Sequence, residues 1–226
     1  MFGFMFLPDM IILLPAIAFA MYAQWKVQST YTRYSTVEVA RHLSAEDAAR
    51  RILTAEYVQD VSFERIDRRL GDHYDPRKKV LRLSAPESTS IAAIGVAAHE
   101  AGHAMQHAKH YAPLALRSAI VPIASFGSQL ALPLFLIGIF AQIPIMITVG
   151  IALFSAAVLF TLVTLPVEFD ASRRAVHALE QSGMVNTEEL GAVKEVLSAA
   201  ALTYVAAAAM AALQLVMLLL SANRRR

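Results

Sequence analysis

The chain has 226 residues, 57% of them hydrophobic, a formal net charge of +2 and no cysteine. At a mean hydropathy of +0.49 it is more apolar than soluble domains, which are about 45–50% apolar, and the excess is gathered into stretches that read as membrane segments. The lack of cysteine excludes disulfides, thiolate metal ligands and a cysteine nucleophile, and the absence of a basic patch with interleaved aromatics argues against nucleic-acid binding.

Phe2 to Ala23 is apolar except for Asp9. With no basic stretch before it and no small-residue cleavage site after it, it reads as a retained transmembrane anchor over residues 1–24. Residues 25–117 then form a polar domain. In it, Ser35-Thr36-Val37-Glu38 opens a helical stretch through Ile52 and Leu53, and Ser44-Ala45-Glu46-Asp47 starts a second helix with Ser44 as its cap. Val58 to Arg65 alternates loosely and reads as a strand. Gly71-Asp72-His73-Tyr74-Asp75-Pro76 reads as a turn. Lys79 to Ser84 alternates charged and apolar residues, as a strand with one wet face does. A helix pair and a two-stranded ribbon thus lead into a helix starting near Ser88 to Ser90.

From Ser118 to Val167, 50 residues pass without an ionisable side chain. About 20 residues cross a bilayer, so this span reads as two helices, a transmembrane hairpin over 118–165 that turns at Ala141-Gln142-Ile143-Pro144. A polar helix follows over 166–198. Residues 199–226 hold the last transmembrane helix, within an apolar run from Val196 to Leu220, and the tail Arg224-Arg225-Arg226. The expected protein is mainly α, a polytopic membrane protein with about four transmembrane helices and a small α+β domain.

That domain carries His99-Glu100-Ala101-Gly102-His103. On a helix, positions i and i+4 share a face, so the H-E-x-x-H spacing presents two imidazoles to one point. Zinc binds neutral imidazole, and catalytic sites take three protein ligands and leave one position for water; Glu100 stands where a general base is needed. The flanks, Ile91 to Ala98 and Ala101 to Ala108, are helix formers without proline. Lys109 occupies the position where a metzincin would carry a third histidine. His107 is read as a neighbour of the site, because His99, His103 and His107 spread over about 12 Å at ~1.5 Å per residue. The third ligand is expected to be Glu168, just after the third membrane segment. Two crossings separate it from His103 and return the chain to the same side. Asp170 is the alternative.

The stretches Asp72-His73-Tyr74-Asp75-Pro76, His99-Glu100-Ala101-Gly102-His103-Ala104-Met105-Gln106 and Glu168-Phe169-Asp170-Ala171-Ser172-Arg173-Arg174-Ala175 resemble the neutral zinc metallopeptidases of the YugP type, over nearly the whole chain. More distantly, the layout is similar to HtpX-type and CAAX-prenyl membrane proteases. Those pair H-E-x-x-H with a later E-x-x-x-D, and here Ser172 stands where that Asp would be. The resemblance implies a zincin-like domain and a gluzincin-like endopeptidase. One zinc ion would be held by His99, His103 and Glu168, and Glu100 would activate the water. Asp72, Asp75 or Asp170 would take over support of a ligand histidine by accepting its other N–H. His177, Arg173 or Arg174 would donate to the oxyanion. The strand Lys79 to Ser84 would take the peptide as an added strand, or be an ordinary hairpin strand.

Lys26, Arg33, Arg41, Arg50, Arg51 and Arg117 flank the first two crossings. By the positive-inside rule they put the active site on the cytoplasmic side of the inner membrane, although Arg224 to Arg226 then fall outside. Expected partners are the lipid bilayer and peptide or protein substrates, with membrane-protein quality control as the setting suggested by analogy. Two other functions compete with this one. A zinc-binding scaffold without turnover has no use for Glu100. A metal transporter needs polar ligands within its spans, and the 50-residue span has none.

Overall fold

The computed structural model describes residues 11–223. The chain divides into two compact units. One takes the chain up to Gln24, then Ala115–Pro166, then the chain from Thr203; the other takes Trp25–Leu114 and Val167–Leu202.

The first unit is apolar. It holds the start of helix α1 (Leu14–Tyr34), most of α4 (Ala112–Phe140), the first part of α5 (Pro144–Ser182) and the end of α6 (Thr187–Asn223). Helices α4 and α5 are joined at the expected turn, where Gln142 adopts a left-handed φ of 58°. They pack closely at glycines. A Cβ on Gly138 would lie 2.7 Å from the Ile147 nitrogen, and one on Gly150 would lie 2.8 Å from the Ala131 carbonyl oxygen. Among the described residues, α4, α5 and α6 are long and apolar enough to cross a membrane. Helix α1 does not meet that measure; the first ten residues of the expected anchor and the tail Arg224 to Arg226 lie outside the described residues.

The second unit carries the polar sequence. It holds the end of α1, then α2 (Ala45–Ala55), the strands β1 (Ser62–Arg65), β2 (His73–Asp75) and β3 (Val80–Leu83), helix α3 (Ile91–Ala108), the polar end of α5 and the start of α6. Ser44 caps α2 as its sequence implies, its hydroxyl accepting from the Asp47 N–H at 3.1 Å. The helix expected from Ser35 does not form. Residues 37–39 lie extended against 89–91, with the Ile91 N–H on the Val37 carbonyl and the Val39 N–H on the Thr89 carbonyl. Those bonds take the backbone groups that a helix would have used.

The sheet differs from the expected ribbon. Its order is β1-β3-β2, with β1 parallel and β2 antiparallel to β3. The segment read as a turn contains β2, which is too short for an alternating pattern to show. The Arg82 guanidinium draws the strands together, donating to Glu64 on β1 and to Asp75 on β2. With both neighbours in place, β3 offers no free edge to a peptide, which overturns the strand-addition role expected for Lys79 to Ser84.

Helix α3 starts at the Ser90 cap and runs through the core of this unit. Its alanines at 92, 93, 97, 98, 101 and 104 are all buried, among Leu81, Leu83, Leu179 and Val193. Small side chains let its neighbours approach on every side. The limit is reached at Gly102, where a Cβ would lie 2.4 Å from the Ala171 carbonyl oxygen of α5. Gly102→Ala is expected to cost about 1–3 kcal/mol or more, as overpacking does, and to lower the thermal midpoint in detergent by several degrees. An unchanged midpoint would mean that α3 and α5 do not meet there.

Candidate metal centre

Helix α3 presents His99 and His103 one turn apart, and α5 brings Glu168 against them. The ligand-capable atoms of the three lie within 4.8 Å of one another. Glu168 Oε2 is 3.2 Å from His99 Nε2 and 3.5 Å from His103 Nε2. Glu168 is 2% exposed and His103 9%. A buried carboxylate facing two imidazoles is a donor set suited to zinc or a similar divalent ion.

The imidazoles are held from behind. His99 Nδ1 meets the Ser172 hydroxyl at 3.0 Å, and His103 Nδ1 meets Gln106 Oε1 at 3.0 Å. Both rings therefore turn Nε2 toward Glu168, as ligands with a supporting partner do. Neither support is the carboxylate expected from the sequence. Asp170 stands one step back, accepting from Gln106 Nε2 at 2.9 Å and from Arg173 and Arg174. It is not in the ligand group. Asp72 accepts from the Ser84 N–H at 2.7 Å, and Asp75 accepts from the Arg77 and Lys78 N–H groups; both shape the sheet.

Glu100 is 7% exposed. Its carboxylate accepts from the Tyr74 N–H of β2 at 2.8 Å. Burial pushes its carboxyl above the ordinary value and Glu168 adds to the rise, against the pull of the two imidazoles and the Tyr74 N–H. Such a group is a stronger proton acceptor than a solvated carboxylate. For Glu168, burial acts upward too, but hydrogen bonds with His103 and His99 outweigh it and hold the carboxyl low. Tyr74 continues along α3 to His107, its hydroxyl 2.9 Å from Nδ1. Burial, with the charges of Asp75 and Asp60, pushes that hydroxyl up to about 12, so it stays neutral. Ala104 and His107 follow Glu100 on one face of α3, and they line a cavity of about 410 Å³ with Val58, Tyr74 and Lys79.

His177 is not drawn in. It is exposed on α5, nine residues past Glu168, which on a helix is about 13.5 Å along the axis and half a turn round. Arg173 and Arg174 are engaged with Asp170. His73 is exposed at the sheet, with Nδ1 2.8 Å from the Gly71 carbonyl oxygen. The role of Gln106 was not singled out by sequence, although its i+3 spacing from His103 was a usable signal.

The family model described as "Putative neutral zinc metallopeptidase" matches residues 9–223, and the chain belongs to that family. It is 47% identical over 195 residues to "Putative membrane protease YugP" of Bacillus subtilis (strain 168), covering 85% of this chain and 87% of that protein. No solved structure matches.

A hydroxyl is a weaker support than a carboxylate, so the Ser172 position is open to change in both directions. Ser172→Ala is expected to weaken zinc binding about tenfold, and Ser172→Asp to strengthen it, in line with the ~10–100-fold effects of outer partners. Competition with a chelating dye reads both. Equal affinity in all three proteins would show that His99 needs no partner on Nδ1.

Proposed function

We propose that this family member is a membrane-anchored zinc endopeptidase of the gluzincin type, in which His99, His103 and Glu168 hold one zinc ion and Glu100 is the general base. The observation that carries the reading is the convergence of two imidazole nitrogens and one carboxylate within 4.8 Å, with a second buried carboxylate on the same helix outside that group. Bound there, zinc would supply a Lewis acid and lower the pKa of a water molecule.

The chain's own groups do the rest. Burial keeps bulk water from Glu100 and readies it to accept a proton. Glu100 takes the proton from the attacking water and delivers it to the amine that leaves when the peptide C–N bond breaks. The Tyr74 N–H holds the carboxylate in place. The adjoining cavity, lined by Val58, Tyr74 and Ala104 together with the polar Asp60, Lys79 and His107, suits a substrate side chain. His177, on the far face of α5, has no role in this reading.

Four crossings, with α1 as the fourth, leave the polar unit on the cytoplasmic side of the inner membrane, where Lys26, Arg33, Arg41, Arg50 and Arg51 place it. Substrates that are themselves membrane proteins fit a site borne on the same chain as membrane-capable helices, and so does a role in their quality control. The rival reading is a zinc-binding scaffold without turnover; the buried Glu100, poised beside the ligands yet not among them, favours the enzyme.

Glu100→Gln is expected to keep zinc and to lose cleavage of an unfolded protein by about 10²–10⁴-fold, the range for a general base. Full cleavage by the variant would overturn the mechanism; zinc binding without cleavage by the wild type would favour the scaffold. Sidedness has a clean test because the chain lacks cysteine. Tyr57→Cys, at a position 88% exposed, is expected to resist a membrane-impermeant maleimide in intact spheroplasts and to react after lysis. Labelling in intact spheroplasts would put the polar unit outside.

A further inference from the structure

We infer that Gln106 is a positioning residue that sets the proton of His103 on Nδ1 and so presents Nε2 as the metal-binding nitrogen. The inference rests on the reading of His103 as a ligand. Gln106 is fully buried, at 0% exposure. Its Nε2 donates to the Val167 carbonyl at 2.8 Å and to Asp170 Oδ2 at 2.9 Å. The carbonyl can only accept. The Asp170 carboxylate, which also takes bonds from the Arg173 and Arg174 guanidinium groups, is an acceptor as well. These two partners use both hydrogens of the amide nitrogen and leave a single orientation for the side chain. Oε1 must then face His103 Nδ1, from which it stands at 3.0 Å.

An amide oxygen only accepts, so the hydrogen of this bond belongs to Nδ1. With Nδ1 committed to that bond, Nε2 is the nitrogen that faces Glu168 Oε2, at 3.5 Å, and is left for a metal. Ser172 cannot do the same for His99, because a hydroxyl donates or accepts as required. Gln106 also has a geometric effect. It sits on α3 beside one ligand, and it bonds Val167 and Asp170, which flank the third ligand on α5. One side chain therefore ties together the backs of the two ligand-bearing helices, and His103 and Glu168 are aimed as a pair. Asp170 acts through Gln106 and touches no ligand histidine, and its own charge is answered by two arginines. The support reaching the imidazole is a neutral amide.

The test uses the full-length protein in detergent. Long-range proton–nitrogen spectra of the zinc-free, ¹⁵N-histidine-labelled wild type read which nitrogen of His103 carries the hydrogen, with His103→Gln to assign the signal. Zinc affinity is measured for the wild type and for Gln106→Met, which keeps the length and loses every polar contact. The expected result is Nδ1–H in the wild type and a zinc affinity about 10–100-fold lower in the variant, at a temperature where circular dichroism shows it folded. An Nδ1 of His103 without a hydrogen in the wild type would overturn the inference even if the variant failed to fold. Unchanged zinc affinity in folded Gln106→Met would overturn it as well. A wild type that binds no zinc would overturn the ligand reading, and this inference with it.

Discussion

The approach of α3 to α5 at Gly102 is the contact on which the rest of the site depends. Backbone meets backbone there, with 2.4 Å between the Ala171 oxygen and the place where a Cβ would be. Imidazole and carboxylate side chains are short, and they meet only if the helices carrying them are nearly touching. Gly102 lies between the two histidines, and Ala171 lies three residues beyond Glu168. This close approach of the helix pair thus coincides with the candidate ligand cluster. The run of buried alanines along α3 serves the same end, because larger side chains would hold the neighbouring elements away.

Proximity alone would leave these polar groups badly aimed. Each has a partner that turns it. Ser172 and Gln106 take the Nδ1 atoms, and the Tyr74 N–H takes Glu100. Gln106 is satisfied on both ends of its amide, and Asp170 is answered by two arginines. A polar network this deep holds its shape because every member has somewhere to put its hydrogens and lone pairs. The partners come from three elements, β2, α3 and α5, so the small sheet belongs to the site through Tyr74.

What could be read from the sequence follows from the range of the interactions. The pairing of His99 with His103, the Ser44 cap and the turn between α4 and α5 are local, and the spacing of residues states them. Glu168 lies 65 residues after His103. It was reachable because the chain between is so uniformly apolar that its crossings can be counted. The three residues of β2 were out of reach, since their extended shape is imposed by Leu81 and Arg82 on β3 rather than by their own pattern. The loop over residues 35–44 failed for the same reason, as its backbone partners lie at 89–91. The role of Gln106 is a long-range fact too. Nothing in its neighbours announces Val167 and Asp170, and a buried glutamine is visible only once the helices are packed.

The order of the ligands along the chain also bears on how the protein is made. His99, Glu100 and His103 leave the ribosome before the 50-residue apolar span, and Glu168 leaves after it. At about 5–20 residues per second, roughly 3–13 s pass between the second histidine and the third ligand. During that interval the nascent chain has a helix with two imidazoles and a base but no complete metal seat, and Gln106 still lacks both partners on α5. The ligand set is completed only when the hairpin has been synthesised. The three residues can therefore meet only after the α4–α5 hairpin has been made, and α6 is still to follow at that point.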